Sequence, residues 1–106
     1  LMHENYLNHI AKIQAYEILL YGKQVFGVVV ASKLARKMEK NDSLLIGNPL
    51  LGSIEPVLEK HPLGYRYLMI NSIFKEIYYI DKDSIYIVAI WDCRQNPITL
   101  QDILPE

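Results

Sequence analysis

In the last third of the chain, apolar and polar positions alternate with the two-residue period of β-strands. Two segments rich in Ile, Val, Tyr, Phe and Trp, Phe74–Ile80 and Ser84–Trp91, fit this pattern. Asp81-Lys82-Asp83 separates them and is a short polar connection typical of a hairpin. We therefore predict two antiparallel strands that are neighbours in a sheet.

The second of these strands is apolar on both faces. Simple alternation places Ile85, Ile87, Ala89 and Trp91 on one face and Tyr86, Val88 and Ile90 on the other. Such a strand is typical of the centre of a sheet, where it is covered on both sides or shielded on one side by a partner. The polar residues that follow directly are Asp92, Arg94, Gln95 and Asn96. Pro97 then ends the pairing because it has no backbone N–H, so the strand brings an arginine to the end of a sheet.

The first half of the chain carries apolar residues at helical spacing instead. Asn5 can cap a helix that begins at Tyr6 and ends near Tyr21-Gly22, where the glycine suits a helix cap. A second helix is predicted over Lys23–Leu45, antiparallel to the first because the connection is short, and Gly47-Asn48-Pro49 ends it. Its apolar stripe consists of Phe26, Val30, Leu34 and Met38, and basic residues on its other face are Lys33, Arg36, Lys37 and Lys40. Such a basic stripe is usually the solvated face of a helix.

The middle of the chain connects these helices to the hairpin. Leu50–Pro56 is predicted to be a connection with a turn at Gly52. Val57–Glu59 is predicted as a short edge strand because prolines flank it, and Tyr65–Ile70 as a longer strand. The fold class that follows is α+β: an N-terminal antiparallel helical hairpin packed on one face of an antiparallel sheet of three or four strands. We expect the other face to be partly open and residues 1–106 to form a single domain.

Composition and charge narrow the possible functions. The formal net charge of −1 provides no general basic field for nucleic acid, so any such binding would need a local basic patch. The single cysteine, Cys93, excludes an internal disulfide and agrees with a reducing cytoplasm, and a catalytic thiol is not expected there. His3, His9 and His61 lack ligand spacing with Cys93 or with carboxylates, so we predict neither a metal nor a cofactor.

Three stretches resemble the RelE/ParE superfamily of toxins from bacterial type II toxin–antitoxin systems. They are residues 47–52 (GNPLLG) after Tyr21-Gly22, residues 64–68 (GYRYL), and the ending that runs from Ile77-Tyr78-Tyr79-Ile80 to Arg94-Gln95-Asn96-Pro97. The resemblance covers nearly the whole chain. One departure is that the family usually begins with a β-strand before the first helix, and only Leu1–Glu4 is available for it here.

The resemblance implies two kinds of activity. RelE-like members cut messenger RNA on the ribosome without a metal, and their cations correspond here to Arg66, Lys75 and Arg94. The tail after Asn96 has no Tyr or His to act as the acid, so this catalytic set is incomplete. The characterised ParE-like members inhibit DNA gyrase and also lack the full set. The chain therefore resembles the ParE-like branch more, and the residues expected to bind an antitoxin or target are Tyr79, Trp91, Arg94, Gln95 and Asn96.

Each of these residues also has a structural interpretation. Arg66 and Arg94 could pair with Glu76, Asp92 or Glu55 at the rim of the sheet, as surface arginines commonly do. Lys75 is more readily interpreted as a solvated lysine, and Trp91 as part of the core or the lip of the open face.

The resemblance also implies partners. A co-encoded antitoxin wraps such toxins, and its disordered segment folds as a helix or strand along the sheet and the helical groove. A homodimer through the same surface would give the same apolar pattern. Three functions follow: a cytoplasmic growth inhibitor acting on DNA gyrase and neutralised by an antitoxin, as in plasmid-stabilisation systems; a ribosome-dependent messenger-RNA endoribonuclease; and a non-toxic relic that binds another protein.

Overall fold

The computed structural model describes residues 4–7 and 27–103, and within them five strands form one sheet beside one long helix. The strands are β1 (Glu4–Leu7), β2 (Ser53–Ile54), β3 (Arg66–Met69), β4 (Phe74–Asp81) and β5 (Ser84–Asp92). The helices are α1 (Val28–Gly47) and α2 (Leu100–Ile103), and Pro56–Leu58 and Pro97–Thr99 are short 3-10 helices. The α+β class is thus confirmed, whereas most of the predicted first helix lies outside the described residues.

Strands β2 to β5 are antiparallel and follow one another in sequence order, as predicted. The prediction of a helix starting at Tyr6 is wrong, because Glu4–Leu7 is a strand that pairs parallel to β5 with Leu7 opposite Ile87. Pairing with β5 hydrogen-bonds backbone groups at an edge that would otherwise stay open, and this tertiary gain overrides the local helical pattern. The central position predicted for β5 is therefore confirmed, with β1 on one side and β4 on the other.

Helix α1 contains the valine triplet at residues 28–30, as its helical spacing predicted. It follows Gly27, whose φ of 91° is costly for any residue with a Cβ, and it ends at Gly47, one residue before Asn48. Leu34 and Leu45 are buried against the sheet together with Ile70, Phe74, Tyr78, Ile85, Ile87 and Ile90. We call this side of the sheet the helix face.

The faces of β5 differ from simple alternation because the strand carries a β-bulge. Pairing passes from Ile77 opposite Ala89 to Tyr78 opposite Ile87, which leaves Val88 as an extra residue. Val88 and Ala89 therefore both face away from the helix, and the residues beyond them change sides. Ile90 lies on the helix face and Trp91 on the opposite one, which corrects the predicted grouping of Trp91 with Ile85.

The face opposite the helix has its own core and is partly covered. Its buried residues are Leu58, Tyr65, Ile77, Val88, Ala89, Trp91 and Leu100. The prediction of an edge strand at Val57–Glu59 is wrong, since Pro56–Leu58 forms a 3-10 helix that packs here and β2 precedes it. Pro56 favours this turn because its φ is fixed and Glu55 accepts a hydrogen bond from the Val57 N–H at 3.1 Å.

The turn predicted at Gly52 is held by a tyrosine from the sheet. The Tyr78 hydroxyl donates to the Pro49 carbonyl at 2.7 Å and accepts from the Gly52 N–H at 2.9 Å. A Cβ at residue 52 would lie 2.5 Å from the Tyr67 carbonyl oxygen and 2.7 Å from the Tyr78 hydroxyl, so only glycine fits. This contact joins the end of α1 to the sheet and sets the path toward Glu55.

Candidate functional site

The predicted functional residues concentrate at the end of the sheet where β4 begins and β5 ends. Phe74 lies opposite Asp92 and Lys75 opposite Trp91, so the start of one strand adjoins the exit of the other. We call the group formed by Glu55, Tyr67, Lys75, Asp92 and Arg94 the sheet-end site.

Lys75 is held in a largely buried ion pair. Its Nζ donates to Oε1 of Glu55, and the side chains of Lys75 and Glu55 are only 14% and 1% exposed. The ammonium group also lies 4.7 Å from the centroid of the Tyr67 ring, a distance suited to a cation–π contact. The interpretation of Lys75 as a solvated lysine is therefore wrong, because a buried carboxylate on the neighbouring turn draws it against the sheet.

Arg94 forms the second ion pair of the site, at the surface. Its Nε and Nη2 donate to Oδ1 and Oδ2 of Asp92 at 3.0 and 2.8 Å, and its backbone N–H donates to Oδ1 at 2.9 Å. These hydrogen bonds from Arg94 hold the pKa of Asp92 below its usual value, although partial burial acts in the opposite direction. The Arg94 side chain is 55% exposed, so it can also meet a partner. The expected rim pairing with Asp92 is confirmed.

Arg66 lies apart from both cations. The alternation of β3 directs it to the helix face, where its Nη1 donates to the Gly52 carbonyl at 2.7 Å. It stands opposite Tyr78 in the register, whereas Lys75 stands opposite Met69, three positions along β3 and over the other face. The structure thus brings Lys75 and Arg94 to one end of the sheet but does not bring Arg66 to them.

The exit segment after β5 presents polar groups to solvent. Gln95 is exposed, and its backbone N–H donates to the Asp92 carbonyl at 3.0 Å. Asn96 is exposed too, but its side-chain oxygen accepts from the Ile98 N–H at 3.1 Å and caps the 3-10 helix Pro97–Thr99. Burial raises the pKa of the Cys93 thiol, and nearby Lys75 only partly offsets this, so the thiol is protonated at neutral pH.

Trp91 and Tyr79 occupy the face opposite the helix. Trp91 is 4% exposed and belongs to the core there, in agreement with its structural interpretation. Tyr79 is half-buried and stacks on Tyr86, with ring centroids 5.1 Å apart and planes at 17°. It also meets Tyr65 edge-on at 5.7 Å, and burial raises the pKa of its hydroxyl. Tyr79 thus belongs to an aromatic row across the three strands β3, β4 and β5.

The sequence did not reveal the roles of two buried glutamates, Glu55 and Glu76. Glu55 pairs with Lys75 and not with an arginine, and the Glu-Pro dipeptide at the start of the turn was the signal that could have indicated a cap. Glu76 is fully buried on the helix face beside Asp42. Burial, followed by the contact with Asp42, raises its pKa from 4.5 to about 10. It is therefore a neutral acid at neutral pH, remote from solvent.

The chemistry available at the sheet-end site is recognition by charge and hydrogen bonding. Its two cations and two carboxylates are engaged with one another, and the neutral Cys93 thiol is a poor base. Across residues 4–7 and 27–103, no three His, Cys, Asp or Glu side chains come together as a metal site. In the same part of the chain, no helix is long and apolar enough to cross a bilayer.

Comparison with known proteins provides a fold likeness and no family assignment. No family model and no curated protein matches the sequence. Among solved structures, a chain of "Chromosomal ParDE TA system from P. aeruginosa" is similar, with a TM-score of 0.68 and 16% sequence identity. The match covers 86% of this chain and 96% of that chain. The protein therefore has the α+β fold of that chain.

Proposed function

We propose that the chain is the toxin of a type II toxin–antitoxin system, a growth inhibitor that binds DNA gyrase and is neutralised by a cognate antitoxin. The fold likeness to a chain of a ParDE system supports this proposal. The sequence likeness of the ending at residues 77–97 supports it independently. On this proposal residues 1–106 form one toxin domain that works in the cytoplasm.

The pairing of the cations supports binding over RNA cleavage. Cleavage would need several unengaged cations converging on one phosphate, with an acid beside them. Instead Glu55 neutralises Lys75 in a buried pair, Asp92 holds Arg94, and Arg66 lies on the other face. This arrangement is the single observation that carries the choice of a binding protein without chemistry.

The exit segment is the part of the sheet-end site best suited to contact a partner. Arg94 and Gln95 are exposed and adjoin a rigid, buried strand, which limits the entropy lost on binding. Asn96 fixes the direction of the chain by capping the next turn, and Trp91 supports the segment from below. We assign the contact to Arg94 and Gln95, with Asn96, Trp91 and Tyr79 shaping the surface around them.

The proximity of Lys75 to Arg94 favours one alternative, a ribosome-dependent endoribonuclease. Both cations lie at the same end of the sheet, where a phosphate could draw Arg94 away from Asp92. On that alternative Arg94 stabilises the transition state of cleavage, with Lys75 and Arg66 as its expected partners. A non-toxic protein-binding relic is the third outcome that the experiment below distinguishes.

The test is induced expression in a bacterial host without an antitoxin, with plasmid supercoiling and messenger-RNA 5′ ends followed together. We expect growth arrest with relaxed or broken DNA and intact messages, and we expect Arg94→Ala to weaken the arrest while Lys60→Ala does not. New codon-phased cuts that Arg94→Ala reduces by orders of magnitude would instead support the endoribonuclease. Normal growth with abundant soluble protein would support the relic.

A further inference from the structure

The outer side of α1 borders an open groove with basic walls and an apolar floor. The groove encloses about 520 Å³ and is lined by Val30, Lys33, Leu34, Arg36, Lys37, Lys40 and Asn71. We call it the α1 groove. Leu34 is buried at its base, Val30 is 44% exposed, and the four basic residues reach solvent.

The four cations of this groove lie close together and repel one another. Lys33 and Lys37 are four residues apart on the helix, as are Arg36 and Lys40, and like charges at that spacing destabilise a helix. The whole set spans about 10 Å of helix axis. None of the four forms an ion pair with any residue in the described part of the chain. An anionic partner would relieve this repulsion.

We propose that the α1 groove binds an acidic amphipathic helix of a partner protein. Apolar side chains of that helix would pack on Val30 and Leu34, and carboxylates about one turn apart would face the basic walls. Complementary charge would speed association and fix the register of the two helices. A nucleic acid backbone would meet the cations but leave the apolar floor unfilled, so the floor favours a peptide. This binding does not depend on the activity proposed above.

The test uses the whole chain and a designed helical peptide of about 15 residues with glutamates flanking a leucine stripe. Fluorescence anisotropy should show binding that weakens with added salt. The variant Lys37→Glu/Lys40→Glu should weaken it about tenfold or more, whereas Lys60→Glu/Lys82→Glu, with the same charge change at exposed sites outside the groove, should not. Val30→Ser should weaken it as well, with Val28→Ser, beside the groove, as its matched control.

Several results would overturn the proposal. One is absence of binding by the acidic peptide to the folded parent protein. Another is equal binding by a peptide with lysine in place of every glutamate. A third is equal weakening by the two lysine double variants, because net charge alone would then explain the effect. Binding of a short DNA or RNA duplex through Lys37 and Lys40, without binding of the peptide, would make the groove a nucleic-acid site.

Discussion

The two buried glutamates of the sheet, Glu55 and Glu76, solve the same physical problem in opposite ways. Both are fully buried, one on each face. Glu55 meets the ammonium group of Lys75 and the Val57 N–H, so its charge has partners. Glu76 meets another carboxyl group, Asp42, and burial keeps it protonated with a pKa of about 10. A buried acid can thus be retained either by a cation or by its proton, and the two choices give opposite responses to mutation and pH.

The largest effect is expected from breaking the pair on the face opposite the helix. Lys75→Met leaves the Glu55 carboxylate buried without its cation and should cost about 3–5 kcal/mol of unfolding free energy. Urea unfolding measures this, with the exposed Lys60→Met as control. The double variant Glu55→Gln/Lys75→Met should recover most of the loss, because the side-chain amide that replaces the carboxylate can still cap the turn. A double variant as unstable as Lys75→Met would show that packing, and not charge, dominates.

The opposite sign is expected on the helix face. Glu76 binds its proton more tightly in the folded protein than in the unfolded one, so this contribution is complete below about pH 4.5 and is lost as the pH rises toward about 10. Glu76→Gln removes the protonation requirement and should raise stability at pH 7 by about 3 kcal/mol, since each pKa unit corresponds to about 1.4 kcal/mol. Thermal unfolding from pH 5 to pH 9 measures this.

The control for that experiment is the exposed Glu59→Gln, whose unfolding should follow the parent protein at every pH. The Glu76→Gln variant should also lose much of the parent's decline in stability between pH 5 and pH 9. An unchanged decline would mean that the carboxyl group of Glu76 is not the one that holds the extra proton.

A smaller effect is expected from a neutral hydrogen-bonded group on the helix face. Tyr78→Phe removes the bonds to the Pro49 carbonyl and the Gly52 N–H and should cost about 1–3 kcal/mol. Tyr79→Phe should change stability little, because no hydrogen bond of its hydroxyl is found within the described residues. Equal losses in the two variants, measured by urea unfolding, would contradict this difference between the faces.

The smallest effect is expected at the surface pair of the sheet-end site. Folding lowers the pKa of Asp92, so its contribution is present above the pKa of an unfolded aspartate and is lost as the pH falls through the folded value. Solvent screening limits this contribution to below about 1 kcal/mol, because Arg94 is mostly exposed. Asp92→Asn should therefore lower stability slightly at pH 7 and not at pH 3 in urea unfolding, with Asp83→Asn as control.

The sequence predicted those parts of the molecule that local chemistry determines. The β4–β5 hairpin, α1 with its valine triplet and the turn at Gly52 all follow from periodicity and from glycine or proline. The strand at Glu4–Leu7 did not, because its pairing with β5 is a long-range gain that competes with a local helical pattern. The faces of β5 failed beyond Val88 because one bulged residue reverses every later side chain.

The candidate site was predicted less well than the fold, for a related reason. The sequence placed Arg94 after a buried strand and anticipated its pairing with Asp92. It gave no way to see that Glu55, twenty residues before Lys75, would reach it across β3. Ion pairs between distant segments depend on the register of the sheet, which the residue pattern alone leaves open.

The most direct test of the account is growth inhibition by the Glu55→Gln/Lys75→Met double variant. We treat Lys75 as a structural cation, so this variant should inhibit bacterial growth as strongly as the parent protein at equal soluble level. Arg94→Ala, measured beside it, should inhibit less. A stably folded double variant that no longer arrests growth would contradict the account and make Lys75 a functional cation.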